Sequence, residues 1–235
     1  MAKPERTWQV TKHESIEKID DNLWTVHGEV PGNPKADRRM AIVKLSDGRL
    51  AFYNAIPLED AAMKEVEAWG KPTFLILPYN LHMMDGHAFA ERWKLKVYGP
   101  KVDTKMAARV KVEGGFEDFP KDAALSVETA AGTKNGEPVM IVNSPDGKRT
   151  SLVFADLFMN VPAEGASLFA RVMGIAGGPK LPWVIKMFFV KDKPALRAQY
   201  ERLAALPTLC RLIPSHGNIL TSDAASALKQ VAATI

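Results

Sequence analysis

An α/β architecture, with two β-sheets packed together and helices on the outside, is the fold class the sequence predicts. Three observations carry that expectation. Short apolar runs alternate with stretches of helical spacing in both halves of the chain. Asp47-Gly48 falls between two such runs, where a tight hairpin turn is needed. Gly70 closes a stretch of helical spacing, as a helix stop does. With 46% hydrophobic and 25% charged residues, the 235-residue chain has the composition of a globular protein with a substantial core. Residues 1–235 read as a single domain.

Residues 1–15 are polar and read as a loose N-terminal arm, with His13 solvated on it. Strands are expected at Ile16–Ile19, Leu23–Val26, Met40–Leu45 and Leu50–Asn54, the last two joined by Ser46-Asp47-Gly48. His27 reads as an ordinary strand-end residue. Ala61, Ala62, Val66 and Trp69 place a helix over Leu58–Trp69. Thr73–Leu77 reads as a buried strand, His87–Trp93 as a helix and Lys96–Tyr98 as a short strand. In the second half, strands are expected at Ala124–Thr129, Val139–Asn143, Thr150–Ala155 and Cys210–Ile213. Helices are expected at Ala195–Leu206 and Ser222–Ala233, the latter capped by Ser222 or Asp223. Gly114-Gly115 and Gly177-Gly178 lack the spacing of phosphate loops and read as turns.

Residues 161–193 stand apart as an apolar helical insertion, rich in residues such as Leu168, Phe169, Val172, Trp183, Met187 and Phe188. It is expected to pack on the core as helices. The alternatives are a lid over the site, a homodimer surface, or a face lying on a membrane, which Arg171, Lys180 and Lys186 would suit.

The formal charge of +4 comes from scattered lysines, and no basic block interleaves with aromatics. A nucleic-acid partner is therefore not expected. Cys210 is the sole cysteine, so no intrachain disulfide can form, and its apolar neighbours suggest buried filler rather than a nucleophile. The N-terminus lacks the apolar stretch of a signal peptide, and no run reaches the roughly 18 apolar residues of a membrane span. A cytoplasmic location is the resulting expectation.

Chemistry-bearing residues gather where apolar runs stop. His82 and His87 follow Phe74–Leu77, Asp156 follows Leu152–Ala155, and His216 follows Leu212-Ile213. Imidazole and carboxylate at the ends of several strands could meet at one sheet edge as metal ligands. Plain structural roles are open to the same residues. His82 could cap a strand-to-helix turn, and His87 could begin a helix. Asp156 could accept backbone amides, and His216 could hold the Pro-Ser-His-Gly turn.

Taken in order, these segments resemble the metallo-β-lactamase-fold superfamily of metal-dependent hydrolases. The resemblance runs from Ile19–Val26 through the hairpin about Asp47-Gly48, Leu75–Asp85 with His87, and Leu152–Phe158 with Asp156, to Ile213-Pro214-Ser215-His216-Gly217. It implies a four-layer αββα sandwich and is strongest to a branch whose metal motif is eroded. The family motif His-x-His-x-Asp-His fits in two registers. One takes His82, Met84, Gly86 and His87; the other takes Asn80, His82, Met84 and Asp85. The first keeps both terminal histidines and is preferred. No histidine lies between His87 and His216 to serve as the family's third, and Asn54 stands where relatives carry a buried aspartate.

The resemblance thus implies at most one divalent metal, zinc first with iron and manganese admissible, held by His82, His87, Asp156 and His216. Asp156, or Asp85 if unligated, would accept a proton as water attacks an ester, thioester or amide-type bond of a small-molecule substrate. The alternative is a catalytically inactive member of the fold, without metal, that binds a ligand or a partner.

Overall fold

The Asp47-Gly48 turn forms as its sequence predicts: Gly48 takes a left-handed φ of 83° and donates its amide to the Leu45 carbonyl at 2.9 Å. It joins β3 (Asn33–Lys44) to β4 (Arg49–Tyr53). With β1 (Glu17–Asp20), β2 (Leu23–Val30), β5 (Lys71–Ile76) and β6 (Lys96–Tyr98), these strands make a six-stranded sheet in chain order. The computed structural model describes residues 7–101 and 103–235. It divides into two compact units, the first ending at Ser126 and the second spanning Val127–Ile235.

In the first unit, strands β1 to β4 pair antiparallel, and β4, β5 and β6 pair in parallel. Parallel neighbours need a crossover, which α1 (Asp60–Trp69) and α2 (Gly86–Trp93) supply. The register aligns Ile42, Phe52, Leu75 and Val97 in one row across the sheet. Met63 and Val66 of α1 and Phe89 of α2 belong to the same buried cluster. Trp69, at the end of α1, stacks on Trp24 with ring centroids 3.9 Å apart, which fixes the helix to β2. A four-residue helix, α3 (Thr104–Ala107), follows β6 and is capped by the Asp103 carboxylate.

The second unit carries a four-stranded sheet in the order β12-β9-β8-β7. Its strands are β7 (Leu125–Thr129), β8 (Pro138–Asn143), β9 (Thr150–Phe154) and β12 (Leu209–Pro214). β8 runs antiparallel to β9, and β12 runs parallel to it. Leu196, Tyr200 and Leu203 of α6 (Lys193–Ala204) and Leu228 and Val231 of α7 (Ala224–Ala233) close a core with Leu152, Phe154 and Leu212. Asp192 caps α6 through the Ala195 amide at 3.1 Å. Asp223 stands at the N-cap of α7, in a left-handed conformation and without a side-chain cap bond.

Four expectations are corrected. β3 begins at Asn33 rather than Met40, because backbone pairing with Val30, Glu29 and Gly28, not burial, holds its polar first half. The described part of the N-terminal arm is docked, not loose. Trp8 stacks on Phe89 at 4.8 Å and donates its indole N–H to the Leu58 carbonyl, while His13 bridges to Gly28. Residues 1–6 of that arm lie outside the described residues.

The third correction concerns 161–193. It forms α4 (Leu168–Val172), a two-stranded ribbon of β10 (Met159–Val161) and β11 (Gly178–Lys180), and α5 (Trp183–Phe189). Leu181 and Val190 are buried, but the large side chains of α4 and several of those of α5 face solvent. Cys210 is half-buried in β12. Among the described residues, no helix is long and apolar enough to cross a membrane.

His27 is also more than a strand-end residue. It lies within β2, and Nε2 meets Asp37 at 2.9 Å while Nδ1 faces Glu14 at 3.4 Å. The hydrogen bond to Asp37 raises its pKa above 6.5, against partial burial and the nearby Arg39 charge. A raised histidine pKa contributes stability that is full below about pH 6.5 and is lost as pH rises through the raised value. Thermal unfolding followed across that window should show a fall in midpoint that His27→Gln flattens. An identical slope in the variant would contradict the pairing.

Candidate metal centre

The parallel register of β9 and β12 pairs Phe154 with Pro214. Asp156 and His216 each lie two positions beyond these partners, so both leave the carboxyl ends of adjacent strands side by side. His216 Nε2 is 3.2 Å from Asp156 Oδ1, with the two side chains only 20% and 11% exposed. Ser215 anchors the turn by donating its amide and hydroxyl to the Phe154 carbonyl, at 2.9 and 3.1 Å. Gly217, at φ 87°, lets the chain pass Asn160: a Cβ there would sit 2.2 Å from the Asn160 carbonyl oxygen. Any other residue would push the His216 turn outward.

The loop that carries Asp156 is held from outside. The amides of Asp156 and Leu157 are accepted by Glu137 Oε1 at 2.7 and 2.9 Å. The Tyr200 hydroxyl of α6 donates to the Leu157 carbonyl at 2.8 Å. Glu137 precedes β8 and is wholly buried. Burial first, and the nearby Asp156 charge second, push its pKa up to about 8. Sequence reasoning missed Glu137, because a single glutamate beside Gly136 and Pro138 looks like an ordinary turn residue.

His82 sits in a single helical turn after β5 and is buried. Its Nδ1 lies 3.0 Å from Asn54 Oδ1, and Asn54 Nδ2 donates to the Arg39 carbonyl at 3.2 Å. The second bond orients the amide, so the oxygen faces the ring. An amide oxygen only accepts, so Nδ1 carries the proton and a neutral His82 keeps its lone pair on Nε2. That is the tautomer a metal-binding imidazole needs. Asn54 holds this position from a left-handed conformation, φ 58°.

Asp85 has a different fate. Its buried carboxylate meets the Arg38 guanidinium at 2.8 Å. Arg38 spends its other donors on the Glu29 and Ala55 carbonyls, at 3.1 and 3.0 Å. The expected reserve base is therefore engaged by a cation within its own unit. Asn80 is engaged as well, with its amide and side chain both donating to Asp103 Oδ2 at 2.7 and 3.0 Å. His87 occupies the first turn of α2 and joins no candidate ligand group among the described residues.

No protein-family model matches the chain, and no curated protein matches it in sequence. Solved structures do match. The chain is similar to the DIM-1 metallo-β-lactamase, with 13% identity and a TM-score of 0.63, covering 95% of this chain and 99% of that one. A metallo-β-lactamase from Pontibacter korlensis gives 14% identity and a TM-score of 0.61, with 95% and 100% covered. TMB-1 gives 15% identity and 0.61, with 94% and 97% covered. The chain has the metallo-β-lactamase fold, as its order of segments led one to expect.

Glu137 supplies the prediction. Removing it strands two buried amides at a cost of about 1–3 kcal/mol each. Glu137→Ala should therefore lower the unfolding free energy from urea titration by several kcal/mol. Glu137→Gln, which keeps an oxygen acceptor, should lose much less. Equal losses in the two variants would contradict the assigned bonds.

Proposed function

We propose that the protein binds one divalent metal, with Asp156 and His216 as ligands, and acts as a hydrolase-like protein on a small molecule. The single observation that carries this is the Asp156–His216 pair at the carboxyl ends of β9 and β12, on a fold shared with metallo-β-lactamases. The donor set fits such an ion. An imidazole and a carboxylate suit zinc first and leave coordination positions open, as catalytic sites do. The bonds from Glu137 and Tyr200 steady the loop that carries Asp156. His82 and His87, included in the ligand set on sequence grounds, are left out of this proposal.

A divalent ion at this place would supply Lewis acidity, acidifying water and polarising an ester, thioester or amide carbonyl. The chain's own contribution is positional. Asp156 is the carboxylate best placed to take a proton beside His216, whereas Asp85 is held by Arg38. A second reading, a binding protein without turnover, draws on that same engagement of Asp85 and on the capture of Asn80 by Asp103. Both tie up positions where a fuller motif would carry ligands.

Protein purified without chelator and dialysed against zinc should hold close to one equivalent by elemental analysis. His216→Ala and Asp156→Ala should lose it, and His87→Ala should retain it. Stoichiometry near zero in the wild type would contradict the proposal. Metal bound without turnover of any ester, thioester or lactam would favour the binding reading.

Asn54 offers a separate check. Asn54→Gly removes the acceptor for His82 while keeping the backbone free to adopt its left-handed conformation. The unfolding free energy from urea titration should fall by about 1–3 kcal/mol, because the buried His82 Nδ1–H loses its acceptor. Unchanged stability would remove Asn54 from the account.

A further inference from the structure

Among the described residues, most of the large exposed apolar side chains belong to α4 and α5. Leu168, Phe169, Val172, Trp183, Met187 and Phe188 are between 44% and 77% exposed. They form one run, because the two helices meet. Trp183 donates its indole N–H to the Val172 carbonyl at 2.8 Å, and its ring lies over Gly174, where a Cβ would come within 2.4 Å. Leu168 and Phe169 lie one turn back from Val172, and Met187 lies one turn on from Trp183. A cluster of this kind, with three aromatic rings in water, is costly to leave uncovered.

The charges around it share one sign. From residue 165 to 191 the chain contains Arg171, Lys180, Lys186 and Lys191 and no acidic residue. Lys134 joins them, since its backbone amide is bonded to the Phe189 carbonyl at the end of α5. Arg171 and Lys186 also donate to backbone carbonyls, of Ala163 at 2.8 Å and Thr234 at 2.7 Å, so their charges are held at the rim. The nearest acids in sequence, Glu164 and Asp192, lie outside the run, and Asp192 is committed to capping α6. Phe, Trp and Leu ringed by cations is the chemistry that enters a lipid interface and is drawn to anionic headgroups. A second copy of this chain would instead set like charges against each other.

We propose that the α4–α5 face docks the protein on an anionic lipid surface, with the aromatic residues in the headgroup–acyl boundary and the cations among the phosphates. The test is co-sedimentation of the full chain with vesicles of phosphatidylcholine alone and of phosphatidylcholine mixed with phosphatidylglycerol. Partitioning should be about tenfold or more stronger to the anionic vesicles and should weaken in high salt. Phe169→Asp with Met187→Asp, both at exposed positions, should abolish binding with an unchanged thermal midpoint. Arg171→Glu with Lys191→Glu should remove the preference for anionic lipid and serves as the check if the first variant unfolds. Three results would overturn the proposal: no sedimentation, equal binding to both vesicles, or a homodimer in light scattering that the aspartate pair dissociates.

Discussion

The parallel pairing of β9 with β12 is the constraint on which the candidate centre rests. Two strands distant in sequence are brought into register, and the residues that leave their carboxyl ends become neighbours. Backbone hydrogen bonds set that register, so the approach of Asp156 to His216 does not depend on the attraction between them. Their surroundings keep it in place. Ser215 ties one turn to Phe154, Gly217 admits the passage of Asn160, and Glu137 and Tyr200 hold the other loop by its amides and carbonyl. The polar groups beneath the pair serve to aim it.

The segment after β5 shows how neighbouring residues are put to different uses by single partners. His82 and Asp85 lie within one short stretch, and both are buried. Asn54 fixes the histidine's tautomer, which keeps it suited to a metal. Arg38 takes up the carboxylate instead. A buried ion pair of this kind adds little net stability, yet losing one member costs about 3–5 kcal/mol, because a charge is left without compensation. Neighbouring positions of this segment are thus committed to different partners, His82 to Asn54 and Asp85 to Arg38.

Much of the fold was legible because burial is written in the order of apolar residues. Lys96–Tyr98 is placed to the residue, and the helices at Asp60–Trp69 and Lys193–Ala204 lie within two positions of the expected bounds. What escaped was held by backbone bonds or by one side chain. The polar start of β3 is secured by its ladder, and the N-terminal arm by Trp8 and by the bridge of His13 to Gly28. The surface position of α4 and α5 escaped for the opposite reason, since an apolar sequence reads as core whether or not a core is there to receive it. At the site, His216 and Asp156 were legible as strand-end residues. Glu137 and the orienting role of Asn54 were not, because their importance lies in partners far along the chain.

The central claim is that Asp156 and His216 share one bound ion. Anomalous scattering at the zinc edge, from crystals grown with zinc, tests it most directly. The account predicts a single strong peak within bonding distance of both His216 Nε2 and the Asp156 carboxylate. A peak at neither residue, with the pair still in contact at the distance seen here, would contradict it.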